Sequence, residues 1–472
     1  MTVKLQENRG IIRTSVRCVW FLIAVALWSE ASAAPVTNQS ASVRFGADER
    51  IRHEAYDHIP ISADPPGYAR GYNDNTDFLN NFLRFRTRVW MEVDPLPDVI
   101  VRARLVDEFR IWERPSAAGR ANTSTYIFPD EGVFDSLYLE LRNLLDNKLE
   151  LRLGRQDLIY GTGKVIFEGT PKDGSRTLYF NAAKAVWKGL PDTIVDVAAI
   201  WNPPEDALAI NSTHRNLTGF TKYNDDVTES GAFIYAKNHT WLDLPFESYL
   251  IYKNESAYDV PAQSSTVAVA AADIGTVGVR LIPRFSSWAE GNLESAWQFG
   301  KRGGDNICAF MVDAGMFHPL SPQSSAKPTA DYGLYFLSGD NPNTTTVEGW
   351  DPLWARYPQY SELYLLAFDA DGIARWSNLM MPHAGFSAFP VHWLKTSAMV
   401  GWLMAPENNG PGSGNTRGWL EVVKGEFVIG KNLWLPNDKL SGHLWFELFQ
   451  PGDYYSVGDS GWFARWEVGY AF

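Results

Sequence analysis

The sequence predicts an all-β, transmembrane up-and-down antiparallel β-barrel of about eighteen strands. Three observations carry that prediction. Apolar and polar residues alternate with a period of two along most of the chain. No run of eighteen apolar residues follows the N-terminal segment, which excludes a helical membrane protein and leaves a soluble all-β protein as the competing class. The final strand, WFARWEVGYAF (462–472 preceded by Gly461), sets Trp462, Ala464, Trp466, Val468, Tyr470 and Phe472 on one face and Arg465 and Glu467 on the other.

The N-terminus has the marks of an export leader. Lys4, Arg9, Arg13 and Arg17 form a basic stretch, residues 18–28 (CVWFLIAVALW) are an apolar run, and Ala31 and Ala33 supply a small-residue cleavage site. A signal peptide is therefore expected over 1–33 and one outer-membrane barrel domain over 34–472. Removing the leader leaves Cys308 as the one cysteine, so neither an intramolecular disulfide nor a cysteine metal site is expected. The formal net charge is −13; the leader holds four basic residues together with Glu7 and Glu30, so its loss gives −15 and argues against a nucleic-acid partner.

Strands are expected in order at 42–54, 78–93, 98–112, 134–144, 147–157, 177–188, 193–202, 229–239 and 245–254. The second half continues with 274–284, 289–301, 307–317, 329–338, 360–370, 392–404, 416–429, 440–450 and 461–472. Each is long enough to cross a bilayer at a tilt. Their connections alternate in length. PLPD (95–98), LLDN (144–147) and LPD (190–192) read as tight turns, whereas 55–77, 158–176, 203–228, 339–359 and 371–391 are long and polar. Short turns at one end and long loops at the other suit an outer-membrane barrel.

Face by face, the pattern separates lipid from lumen. In LRFRTRVWMEV (83–93), Leu83, Phe85, Val89, Met91 and Val93 oppose Arg84, Arg86 and Arg88. On the next strand Val99, Val101, Ala103, Leu105, Phe109 and Ile111 oppose Arg102, Arg104, Glu108 and Arg110. Leu137, Leu139 and Leu141 oppose Glu140 and Arg142, and Leu149, Leu151 and Leu153 oppose Glu150 and Arg152. Outer-membrane lipid and lipopolysaccharide are thus the expected partners of the apolar rows.

The middle of the chain carries longer motifs. Residues 151–163 (LRLGRQDLIYGTG), followed by 167–187 (FEGTPKDGSRTLYFNAAKAVW), resemble the hallmark of the alginate-export outer-membrane family, in which an LRLGRQ strand leads through a loop to an R-T-x-x-x-D/N-A strand. LYFLSGDNP (334–342), GWDPLWARY (349–357) and VRFGADERIRHE (43–54) resemble that family's SGD strand end, its F-D-P-L loop and its Arg-rich first strand. Trp350 replaces the usual Phe and Asn181 the usual Asp. The resemblance implies an eighteen-stranded barrel that passes a polysaccharide or small solutes, and the terminal Phe472 resembles the signal read by the barrel assembly machinery.

Candidate pore-lining residues are Arg84, Arg86, Arg88, Arg102, Arg104, Arg110, Arg142, Arg152 and, in the loop motif, Arg176; Arg50 and Arg52 are expected beside them. Two roles suit them. A guanidinium stays charged and binds carboxylates with two prongs, so a row of them would pass a uronate-type solute between weak sites. Alternatively, pairing with Glu92, Glu108, Glu140 and Glu150 would simply brace the wall. The expected function is passive passage or export of anionic carbohydrate, with a general uptake porin for small solutes as the alternative. None of the eight histidines sits in a G-x-S-x-G or H-E-x-x-H context, so no enzyme, cofactor or metal is expected.

Overall fold

A computed structural model gives the fold and describes residues 41–58, 80–113, 127–168, 179–204, 206–210, 227–261, 266–285, 288–355, 360–363, 377–456 and 458–472. The expected leader and Arg176 lie outside these residues. The barrel strands are β1 (Ser42–Asp57), β2 (Asn80–Leu96), β3 (Val99–Trp112), β4 (Ile127–Asn143), β5 (Leu149–Gln156) and β6 (Phe180–Leu190). They continue with β7 (Thr193–Asn202), β8 (Glu229–Asn238), β9 (Phe246–Glu255), β10 (Ala272–Leu281), β11 (Glu290–Arg302) and β12 (Asp305–Pro319). The last six are β13 (Thr329–Leu337), β14 (Leu379–Val391), β15 (Leu394–Met404), β16 (Thr416–Lys431), β17 (Lys439–Pro451) and β18 (Gly461–Ala471).

Every strand pairs antiparallel with its sequence neighbours, and β18 pairs with β1 to close an 18-stranded sheet. Phe472 seals the seam by exchanging two backbone hydrogen bonds with Ala47, at 3.0 and 3.1 Å. Closure satisfies the strand edges internally, which a bilayer requires. The outward rows are large and apolar. Phe45, Leu250, Val423 and Leu444 are each at least half exposed, an arrangement that suits lipid and not water. Trp288, His318 and Tyr332 stack at the short-turn end, and Trp402 stacks on Trp419 towards the other, as interfacial girdles do.

One expected strand is misplaced. Of the expected 360–370, residues 360–363 are not strand and 364–370 lie outside the described residues; the fourteenth strand is β14, within a stretch expected to be loop. Pro382 and Pro390 disguise it, because proline cannot donate to a ladder. The β14–β15 pairing passes over Pro382 and shifts register between Ala388 and Val391, which accommodates both prolines. Loop lengths segregate as expected, except that β11 and β12 join through a tight Gly303–Gly304 turn at the long-loop end.

The short turns place Asp or Asn where the backbone is left-handed. Asp98, Asp192, Asn432 and Asn437 all have positive φ, a conformation these side chains tolerate. In the β16–β17 turn, the Asp438 carboxylate accepts N–H bonds from Leu433 (2.6 Å), Trp434 (2.8 Å) and Leu435 (2.9 Å), and one from the Tyr470 hydroxyl (2.8 Å). Its shielded position alone would raise the carboxyl, but these bonds more than reverse that and hold its pKa at about 2. A depressed pKa stabilises the fold above the unfolded value, roughly pH 4, and the gain fades as pH falls towards about 2. Asp438→Asn should therefore melt earlier than the parent barrel at pH 6, with the two curves converging near pH 2. A constant gap across that range would contradict this assignment.

The wall has one patched section. β5 is only eight residues long, because the chain turns into the barrel after Gln156. Beside the upper part of β4, its place is taken by loop L4, which links β7 to β8. Ile210 donates to the Gly132 carbonyl (2.7 Å), Phe134 donates to that of Leu208 (3.1 Å), and Val133 bridges Ala209. Arg155 of the LRLGRQ motif anchors the patch, gripping Asp206 with two bonds of 2.8 and 3.1 Å and lying over the Tyr179 ring.

Candidate functional site

The expected arginines of β2 to β5 face the barrel interior, as the alternation dictates, and each meets an acid. Arg84 donates to Glu108 (2.7 Å) and lies 3.6 Å from Glu54; Arg110 lies 3.7 Å from Glu108. Arg86 and Arg88 share Asp48, both at 2.8 Å. Arg102 meets Glu92 (2.7 Å), and Arg104 meets Asp135 (2.6 Å) and Asp157 (3.0 Å). Arg142 and Arg152 both grip Glu140, and Arg152 lies over Tyr138. The picture of an open ladder is corrected in part. Arg84, Arg86 and Arg104 are buried within these pairs, whereas Arg142 and Arg152 keep more exposure near the short-turn end.

A second set of contacts defines the interior. Described segments of loop L3, between β5 and β6, and of loop L7, between β13 and β14, enter the barrel and meet there. Residues Ile166–Glu168 pair with Leu158–Ile159, and Trp354–Ala355 add to Ile166–Phe167 in parallel, making a small three-stranded sheet inside the large one. Leu158, Val165, Ile166, Leu353, Trp354 and Leu363 pack with inward side chains such as Phe233 and Ile251 in one buried cluster. This part of the interior is a packed core rather than a water-filled lumen, a consequence of loop residues that show no period in the sequence.

The tip of L3 is tied at three points. The Tyr160 hydroxyl donates to Asp196 of β7 (2.8 Å), and that of Thr162 to Glu294 of β11 (3.1 Å). Lys164 reaches the Tyr360 hydroxyl of L7 (3.0 Å), with its ammonium 4.2 Å from the ring centres of both Tyr335 and Tyr360. L7 is pinned through the DPL motif. Asp351 exchanges backbone bonds with the Gln298 amide (2.7 and 2.9 Å) and pairs with Arg302 (3.3 Å), while Lys253 donates to the Leu353 carbonyl (3.0 Å). Further along, Glu447 of β17 accepts from the Ser361 hydroxyl and from the backbone N–H of Glu362 (2.7 Å) and Leu363 (3.2 Å), and Arg465 of β18 holds the Glu362 carboxylate (2.5 Å).

This crosspiece narrows the interior and leaves two adjoining cavities towards the short-turn end. One, about 650 Å³, is bordered by Thr162, Lys164, Arg280, Tyr360 and His383. The other, about 660 Å³, is bordered by Arg52, Lys395, His443, Arg465 and Glu467. Lys424, Glu426 and Trp445 line both. The cations beside these spaces are Lys164, Arg280, Lys424, Lys395, Lys439, Arg52 and Arg465. Arg84, Arg86, Arg88, Arg102 and Arg104, expected at the constriction, border neither cavity. Lys164, Tyr360, Glu362 and Glu447 escaped sequence reasoning because their partners lie some 85 to 196 residues away.

Several solved structures share this architecture. A BenF-like porin from Pseudomonas fluorescens Pf-5 superposes with a TM-score of 0.58 at 9% sequence identity, covering 91% of this chain and 98% of that one. The fold is that of a bacterial outer-membrane porin. OccK5 (OpdH) of Pseudomonas aeruginosa gives a TM-score of 0.54 at 11% identity over 91% of this chain and 98% of its own. OpdK of Pseudomonas aeruginosa, solved with vanillate, gives the same four values. Likeness at these identities is one of fold, and it does not single out the alginate-export family that the motifs resemble. No protein-family model matches the chain, and no curated protein matches it.

Proposed function

We propose that this protein is a passive outer-membrane channel for small carboxylate-bearing solutes. The observation that supports it best is the crosspiece of L3 and L7, which narrows the interior beside Lys164, Arg52 and Arg465 with Trp445 and Tyr360 close by. Cations favour an anionic head, and aromatic faces favour an apolar body. A packed crosspiece fits small solutes better than a polysaccharide, which needs a wide bore along its whole length, so the uptake alternative is preferred to alginate export. OpdK, a structural neighbour, was solved with a carboxylate of this size, vanillate. Local lumen charge governs permeation whatever the net charge of the chain. On this reading Phe472 at the seam doubles as the assembly signal.

Reversal potentials in planar bilayers test the proposal. The wild-type channel should prefer chloride and benzoate to potassium. Changing Lys395 and Lys424, partly exposed at the cavity lining, together to Gln should lower the anion-to-cation permeability ratio about five-fold, equivalent to ~1 kcal/mol of lumen potential. A cation-preferring wild type, or an unchanged ratio in the variant, would overturn it.

A further inference from the structure

We propose that Arg465 is a carboxylate-binding site whose resident ligand is the protein's own Glu362, so that L7 carries an internal competitor for the permeating solute. This rests on the channel reading above and names how that channel's affinity is set. Arg465 Nη1 lies 2.5 Å from Glu362 Oε1, and both side chains are 3% exposed. The guanidinium also holds Glu54 (3.0 Å) and sits over the rings of Phe463 (5.1 Å) and Trp445 (5.6 Å). Arg465 and Trp445 border the 660 Å³ cavity together with Arg52, Lys395 and Lys424, so a solute in that space reaches the same guanidinium. Glu362 therefore shows what the site accepts: a carboxylate, with an aromatic face beside it.

The backbone around Glu362 is held independently of its side chain. Glu447 accepts from Ser361, Glu362 and Leu363, which fixes this turn of L7 against β17. The Glu362 carboxylate is thus able to leave Arg465 while the turn stays docked. A tethered carboxylate at the site lowers the fraction of Arg465 open to an incoming one, and apparent affinity falls in proportion. That trade suits a passive channel, where each site must release what it binds.

The test uses the full chain in planar bilayers, with benzoate as the probe and arabinose flux into vesicles as the reference for general widening. In Glu362→Gln, the benzoate concentration that half-saturates the current should fall about ten-fold relative to the arabinose reference, as expected when a competitor occupying some nine-tenths of the site is removed. Adding Arg465→Gln to that variant should bring half-saturation back to the wild-type value or above. Heat-modifiable migration confirms that each barrel is folded, and Glu362→Ala is read in the same way should the Gln variant fail to insert. Unchanged or weaker benzoate binding in Glu362→Gln, with a wild type that does saturate, overturns this inference alone. A wild type that never saturates with benzoate overturns the channel reading, and this inference with it.

Discussion

Replacing Arg155 by Met is expected to cost the barrel about 3–5 kcal/mol, the penalty for stranding one member of a buried ion pair. Arg155 and Asp206 are 2% and 0% exposed and meet in a two-pronged contact. Methionine fills much of the space but leaves the Asp206 carboxylate buried without its guanidinium. Asp206 also accepts the Leu208 N–H (2.9 Å), so the loss spreads to the segment that patches the wall beside β4. Urea unfolding followed by tryptophan fluorescence measures the cost, and proteolysis of the L4 segment 206–210 localises it. Asp206→Asn should be similarly harmful, and the double variant much less harmful than the sum, because neither charge is then left alone. A loss below about 1 kcal/mol for Arg155→Met would place the pair at a solvated surface instead.

Trp354→Ala should open the channel without unfolding the barrel. Trp354 is fully buried at the meeting of L3 and L7, edge-on to Phe180, with the Lys253 ammonium 5.8 Å from its ring. Gly231 makes room for it: a Cβ there would come within 2.7 Å of the indole. Truncation removes roughly 3–5 kcal/mol of packing, and the crosspiece bears that loss because the wall is closed by its own backbone ladder. Single-channel conductance should at least double, roughly the gain from clearing half the section that the crosspiece occupies. Discrimination between benzoate and chloride should shrink with it, while heat-modifiable migration is retained. Unchanged conductance would mean that the crosspiece does not set the narrowest section.

Alternation fixes a face locally, so Arg84, Arg102 and Arg152 were legible as inward and Leu139, Leu153 and Trp466 as outward before any fold was known. The one strand misjudged, β14, fails for a local reason too, since Pro382 and Pro390 break the pattern that the neighbours' hydrogen bonds restore. Arg155 is the instructive case. Its parity sets it outward with Leu151 and Leu153, and it is, but L4 covers it and turns a misplaced charge into an anchor.

By itself, then, the sequence determined the all-β class, the strand number and the two faces. These depend on a period of two and on turn chemistry, which act over a few residues. Only the tertiary structure decided that L3 and L7 fill part of the interior, that L4 patches the wall, and that Glu362 sits on Arg465. Those contacts join residues far apart in the chain, as Arg52 joins Glu467 across 415 positions. Loops have no periodicity to announce their partners; geometry chooses among many acids and arginines the few that the closed barrel brings within reach.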